Sequence, residues 1–263
     1  MRKFFITTLL AMALLSNLVI STAFSAAAAA AADKEAFKAM LIEVLKENPE
    51  ILFDIMKENN SKFIQTITSA SESARVNELE AKWQQDKKII KNFTAEKRPT
   101  LGDKNAPNTL YVFSDFLCTY CQKTAGTVET FIKQHKDVKL VFKAYPKNDD
   151  SKIALRWFYL MNQKDSQKAW QLHDTIFVHQ QAYAANPLQV LKEIVRQQGY
   201  DPESIAKEVE SKKAELDALI NEDISEAKQY QVTGTPYLFI NNLVLVGTQN
   251  LTTLESALKF SLK

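Results

Sequence analysis

From Asp33 to about Phe93 the chain has no glycine and a single proline, Pro49, and its apolar residues fall three and four positions apart. Phe37, Leu41, Val44 and Leu45 are followed by Leu52, Ile55, Phe63 and Ile67, then by Val76, Leu79, Trp83, Ile90 and Phe93. That period predicts amphipathic helix. "NPE" at 48–50 divides it, with Asn48 as N-cap, Pro49 at the first helical position and Glu50 complementing the dipole. The expectation is a short helix over about 34–47 and a long one over about 49–92. A stripe that long exceeds what the short helix can cover, so it is expected to face another subunit.

The period then changes. "EKRPTLGDKNAPNT", 96–109, collects two prolines, a glycine and polar residues and reads as linker or loop. "TLYVFSDF" is an apolar run suited to a buried strand, "CTYCQKTAGTVETFIKQH" returns to helical spacing, and "VKLVFKAYP", 138–146, is a second strand closed by proline. Strand, helix, strand in that order builds a parallel pair with a right-handed crossover. Residues 147 to about 230 are mainly helical, punctuated at Asn186-Pro187, Gly199 and Asp201-Pro202. Strands resume at "PYLFI" and "LVLV", joined by Asn241-Asn242, a pair that tolerates the positive φ of a two-residue hairpin. A last helix runs from Leu251 to Leu262. The expected fold class is α/β, one sheet interrupted by a helical insertion and preceded by an all-helical region at 26–97.

Ahead of all this, Arg2 and Lys3 precede an apolar run from Phe4 to Ile20 and the small residues "STAFSAAAAAAA". This pattern predicts a secretory signal peptide, residues 1–25, cut after Ala23 or Ser25. A membrane anchor is the competing reading, disfavoured because no stop-transfer flank follows the run. The chain has 33 basic and 31 acidic residues, so removing Arg2 and Lys3 balances the charge. A neutral chain has no electrostatic footprint for nucleic acid.

Export places the only two cysteines, Cys118 and Cys121, where disulfides persist. Three readings compete. As a staple the pair closes too short a loop to stabilise much. As a structural zinc site it lacks a second pair of ligands, and His135, His173 and His179 show no paired spacing. As a redox pair it fits. Cys118 opens a helix, where backbone N–H groups stabilise thiolate, and Cys121 lies one turn later on the same face, within reach of a mixed disulfide formed at Cys118. CxxC alone is a moderate signal for that third reading, which is the strongest of the three.

A second feature sharpens it. Strand, CxxC, helix and strand, then a helical insertion, then "GTP" at 234–236 leading into a hairpin and a final helix, resembles the thioredoxin fold of the DsbA superfamily over about residues 98–263. The resemblance implies that Thr235 and Pro236, the latter as a cis-proline, lie beside the cysteines and hold the substrate strand. The "ENPEIL" segment in the N-terminal helices is similar to ScsC-like members, whose helices assemble dimers or trimers. Tyr120 and Thr235 resemble the superfamily's disulfide isomerases more than its oxidases, which carry Pro-His and valine at the equivalent places; Thr119 departs from the common pairs. The resemblance thus implies a periplasmic thiol:disulfide oxidoreductase, an isomerase or reductase, needing no cofactor and no metal. Its substrate-binding residues would be Thr119, Tyr120, Thr235 and Pro236. Its partners would be unfolded or misdisulfided exported proteins and a membrane redox protein that keeps the dithiol poised. A DsbA-type dithiol oxidase is the alternative, and a periplasmic copper-binding or holdase-like protein is the rival of another class.

Other residues attract plainer readings. Asp115 suits a solvated or capping role better than a proton relay to Cys121. His173 reads as a packed or surface histidine in preference to a ligand or base, and His135 sits at the negative end of a helix dipole. Trp157, Phe158 and Tyr159 are expected in the insertion's core. The chain carries no Gly-rich phosphate loop, no HExxH pattern and no GxSxG nucleophile elbow.

Overall fold

The computed structural model describes residues 36–263; the expected signal peptide and the alanine run after it lie outside the described residues. The chain divides into two compact units between Glu72 and Ser73. In the first, helix α1 covers 36–47, α2 runs Glu50–Glu58, and α3, Asn60–Asp86, begins. No residue of α2 is buried, and Phe37, Leu41, Phe53, Ile55, Ile64 and Ile67 stand exposed along these helices. Asn48 does not cap α2 as expected. Its N–H and its Nδ2 both donate to Val44 O, at 3.0 and 2.9 Å, so it closes α1, while Pro49 occupies the N-cap of α2 without a side-chain bond.

The long helix expected over 49–92 is shorter and broken. Asn59 interrupts it, its Nδ2 donating to Ile55 O at 2.9 Å, and α3 ends at Asp86. The reason for the early end lies in the partners of the next residues. The Lys91 N–H donates to Asn242 Oδ1 (2.9 Å), that of Asn92 to the Tyr230 hydroxyl (2.8 Å) and that of Thr94 to Glu226 Oε1 (2.8 Å). Phe93 sits with its ring centroid 4.6 Å from those of Tyr111 and Tyr230. Backbone donors satisfied outside the helix and an aromatic cluster outweigh helix propagation, although Ile90 and Phe93 keep the helical spacing.

The second unit is built on a five-stranded sheet in the order β1-β3-β2-β4-β5. The strands are β1 (Thr100–Leu101), β2 (Asn108–Ser114), β3 (Val138–Ala144), β4 (Tyr237–Ile240) and β5 (Leu243–Val246). β2 and β3 are parallel, joined over α4 (Thr119–Gln134), and the other pairings are antiparallel. This is the thioredoxin arrangement. β1 was not expected within the 96–109 linker. Gly102 permits its exit, with φ +92°, a left-handed backbone that strains any side chain, and a Cβ position in tight contact, 3.0 Å, with Val138 O. The hairpin between β4 and β5 turns on Asn241 and Asn242 at φ 44° and 77°, as predicted.

Between β3 and β4 lies the helical insertion: α5 (Asp149–Lys164), α6 (Ser166–Val178), α7 (Gln180–Ala185), α8 (Pro187–Gln197), α9 (Pro202–Ser211) and α10 (Lys213–Gln229). Trp157, Phe158 and Tyr159 are buried in it, as expected. α11 (Leu251–Ser261) closes the fold. Asp223 of α10 is fully buried and accepts from Arg98 Nε (2.8 Å), Lys143 Nζ (2.5 Å), the Ala144 N–H (2.8 Å) and the Tyr159 hydroxyl. Lys143 Nζ also meets Glu226 Oε2 at 2.7 Å. Buried charges persist only when paired and hydrogen-bonded, and this cluster ties the 93–98 segment, β3 and α10 together. At the β5 edge of the sheet, Trp83 is fully buried and its Nε1 donates to Val244 O at 3.0 Å, while Asp86 Oδ2 accepts from the Val244 N–H at 3.0 Å. The open N–H and C=O of Val244, at the middle of edge strand β5, are thereby occupied.

Candidate active site

β2 delivers its C-terminal end to a tight loop, and the loop delivers Cys118 to the N-cap of α4 with extended backbone (φ −86°, ψ 117°). Asp115 holds that loop. It is almost wholly buried, its Oδ1 accepts from the Leu117 N–H (2.8 Å), and its Oδ2 accepts from the Lys147 N–H (2.7 Å) and the Ser151 hydroxyl (2.9 Å). With both oxygens engaged, Asp115 is a buried brace between β2 and α5, not the solvated or capping residue expected: Cys118 and Asn148 hold the N-cap positions of α4 and α5. Gln180 of α7 braces the other side, its Nε2 donating to Phe116 O (2.9 Å) and Cys118 O (3.0 Å). The sequence carries no signal for Gln180, because only the tertiary fold brings α7 to the loop.

Cys118 is half-buried and Cys121 buried, and both are free thiols. Cys118 Sγ lies 3.3 Å from Thr235 O across a chain separation of over a hundred residues, and the Thr235-Pro236 peptide is cis. The four residues expected together are together. The Cys118 thiol is lowered to about 5, first by the hydrogen bond from Cys121, then, against the opposing effect of burial, by the Thr235 side chain and the N–H groups of Cys121 and Tyr120. Burial pushes Cys121 the other way, well up, and Cys118 holds its proton in place. One thiol is a ready nucleophile near neutral pH and the other a protonated reserve. Thr119 and Tyr120 are exposed at the start of α4, and Lys123 Nζ stands 5.6 Å from the Tyr120 ring centroid. Thr119 and Gln122 border a surface depression of about 460 Å³ shared with Val178, His179 and Gln180.

Among the described residues no group of three His, Cys, Asp or Glu is placed to hold a metal ion, and no helix is long and apolar enough to cross a membrane. His173 is packed, as expected, in a ring of Phe116, Phe142, Phe158, Trp170 and Phe177.

A thioredoxin sheet with a dithiol at the head of its first long crossover helix, facing a cis-proline, defines a thioredoxin-fold dithiol protein. A family model described as thioredoxin matches residues 94–259, and the chain belongs to that family. Among solved structures it is similar to a thioredoxin-like oxidoreductase from Silicibacter pomeroyi, with 24% identity over 62% of this chain and 91% of that one (TM-score 0.54). It is also similar to the thiol-disulfide exchange protein alpha-DsbA2 from Wolbachia pipientis, at 21% identity over 71% and 97% (TM-score 0.56). A third likeness is to a periplasmic thioredoxin-like protein from Salmonella enterica serovar Typhimurium, at 23% over 66% and 98% (TM-score 0.54). These likenesses show a thioredoxin fold with a helical insertion. A curated relative, a Na(+)/H(+) antiporter NhaA 3 from Salinispora tropica, is 25% identical over 157 residues, 59% of this chain and 23% of that one. The chain thus spans about a quarter of the curated relatives it matches.

Proposed function

We propose that the protein is a periplasmic thiol:disulfide oxidoreductase that isomerises or reduces disulfides of exported proteins. The observation that carries dithiol exchange is Cys118 at the head of α4, its Sγ 3.3 Å from Thr235 O beside the cis Thr235-Pro236 peptide, with Cys121 buried one turn later. The resemblance of Tyr120 and Thr235 to the isomerases favours isomerisation or reduction. Cys118 attacks a substrate disulfide, its sulfur bonds to one substrate sulfur, and the other substrate sulfur leaves with the electron pair. A substrate thiol then resolves the mixed disulfide, which is isomerisation, or Cys121 does so, releasing reduced substrate and leaving Cys118–Cys121 oxidised. Thr235 and Pro236 would hold the substrate strand beside Cys118, and Thr119 and Tyr120 would border its path. The exposed apolar residues of 36–67 support a role for the N-terminal helices in forming a dimer or trimer and in meeting unfolded clients.

A dithiol oxidase is the second reading, and one observation favours it. Stabilising the Cys118 thiolate stabilises the reduced form, which makes the corresponding disulfide a stronger oxidant. The direction depends on a membrane redox partner. Alkylation trapping of Cys118 and Cys121 in the exporting cell tests it: mostly reduced cysteines are expected, and a mostly disulfide population would replace the isomerase reading with the oxidase one.

A further inference from the structure

Resolution by Cys121 raises a problem that the residues described so far leave unanswered. The thiol must lose its proton before its sulfur can attack Cys118, yet burial holds that proton firmly. Asp115, the carboxylate nearest in sequence, is consumed by its three hydrogen bonds.

Beside Cys121 is a cavity of about 30 Å³ whose polar border is Ser114 of β2, Cys121, Thr124 and Glu129 of α4, and His173 and Asp174 of α6, the rest of its wall being mainly apolar side chains. One water needs roughly 10–15 Å³ of such space and two or more polar partners, and the lining meets both requirements. The Thr124 hydroxyl is buried and has no protein partner, so it is available to a water in the cavity. His173 Nδ1 lies 2.8 Å from Asp174 Oδ1, which leaves Nε2 as the ring nitrogen to meet that water.

We infer that His173, acting through water in this cavity, takes the proton from Cys121 during resolution and returns it in the reverse direction. The inference rests on the dithiol reading above. In the forward step the Cys121 S–H proton passes by water to His173, and the Cys121 sulfur bonds to Cys118 Sγ. The Cys118–substrate S–S bond breaks, and the substrate sulfur departs with the electron pair. The dithiol is oxidised by two electrons and the substrate disulfide is reduced by two. Asp174, half-exposed, stabilises the imidazolium and connects it to solvent. The charged or titratable groups facing His173 are Asp174 on its own helix and Cys121 and Glu129 from α4, with Glu129 paired to Lys133 at 2.6 Å. β2, β3 and α5 present Val112, Ser114, Leu140, Phe142 and Phe158, none of them charged.

The test uses the reduced full chain mixed with excess of an aromatic disulfide that releases a coloured thiolate. The first thiolate reports attack by Cys118 and the second reports resolution by Cys121. In His173→Gln the first phase should keep its native rate, while the second slows on the order of a hundredfold at neutral pH and loses the step in its pH profile. Thr124→Val should slow the second phase a few-fold and retain the step. A second phase in His173→Gln matching the native rate and pH profile overturns the proposal. Should His173→Gln also lose the first phase, an unchanged second phase in Thr124→Val overturns it instead. A native chain that releases only one thiolate removes the dithiol reading itself, with no dependence on His173.

Discussion

Two thiols one helical turn apart titrate in opposite directions because Cys118 accepts from the Cys121 S–H, the Thr235 side chain and backbone N–H groups, while burial desolvates Cys121. Iodoacetamide should therefore alkylate Cys118 at a rate that stays level down to about pH 5 and falls below it, while Cys121 remains slow throughout. The same shift acts on stability. The folded value lies below the ordinary 9.0 of the unfolded thiol, so the thiolate's contribution to the reduced fold is complete above about pH 9, shrinks as pH falls and is gone below about 5. The denaturation midpoint of the reduced chain should rise relative to Cys118→Ser between pH 5 and pH 8, and a constant difference would refute the depressed value. Much of this site was legible in the sequence. A cysteine heading a helix, a second one three residues on and a proline at a strand entrance are local patterns with local chemistry. Gln180 and the cavity at His173 were not legible, because each depends on the insertion folding back over the loop, and a histidine spaced for packing looks the same whether or not a cavity borders it.

At the scale of elements, the four expected strands and the insertion followed their hydrophobic periods; the two-residue β1 was missed, and the other errors came where tertiary partners replaced helical ones. Asn48 carries the side chain of a good N-cap, but an amide serves a helix end equally well, and here it serves α1. Lys91 to Thr94 leave the helix because Asn242, Tyr230 and Glu226 accept or offer what the helix would have. Trp83, read as one more member of a stripe, belongs to the core of the second unit. Trp83→Ala should cost about 3–5 kcal/mol for the buried ring, measured by chemical unfolding of the reduced chain, and should leave Cys118 alkylation unchanged. Asp223→Ala should cost a similar 3–5 kcal/mol, because it strands Arg98 and Lys143 without their shared carboxylate. A loss under 1 kcal/mol would mean that Glu226 and water compensate.

At the scale of the whole molecule, the chain pairs a complete thioredoxin-family unit with helices whose apolar residues stand in the open. Deleting residues 26–72 should leave the fast Cys118 reaction intact while lowering both the mass in solution, read by light scattering, and the yield of correctly paired product from a scrambled-disulfide substrate. Undiminished refolding by the shortened chain would sink the idea that assembly serves isomerisation. The position of that cut follows from the covering of β5. The composition break at 96–109 invites the view that everything before it is a detachable arm, yet Trp83 and Asp86 plug the sheet edge at Val244. A fragment starting at residue 98 would bare a strand prone to pairing with its own copies. Any exchange of N-terminal arms between relatives, by recombination or by grafting, therefore has to carry residues 73–97 along with the catalytic half, and the inheritable module is longer than the domain its linker advertises.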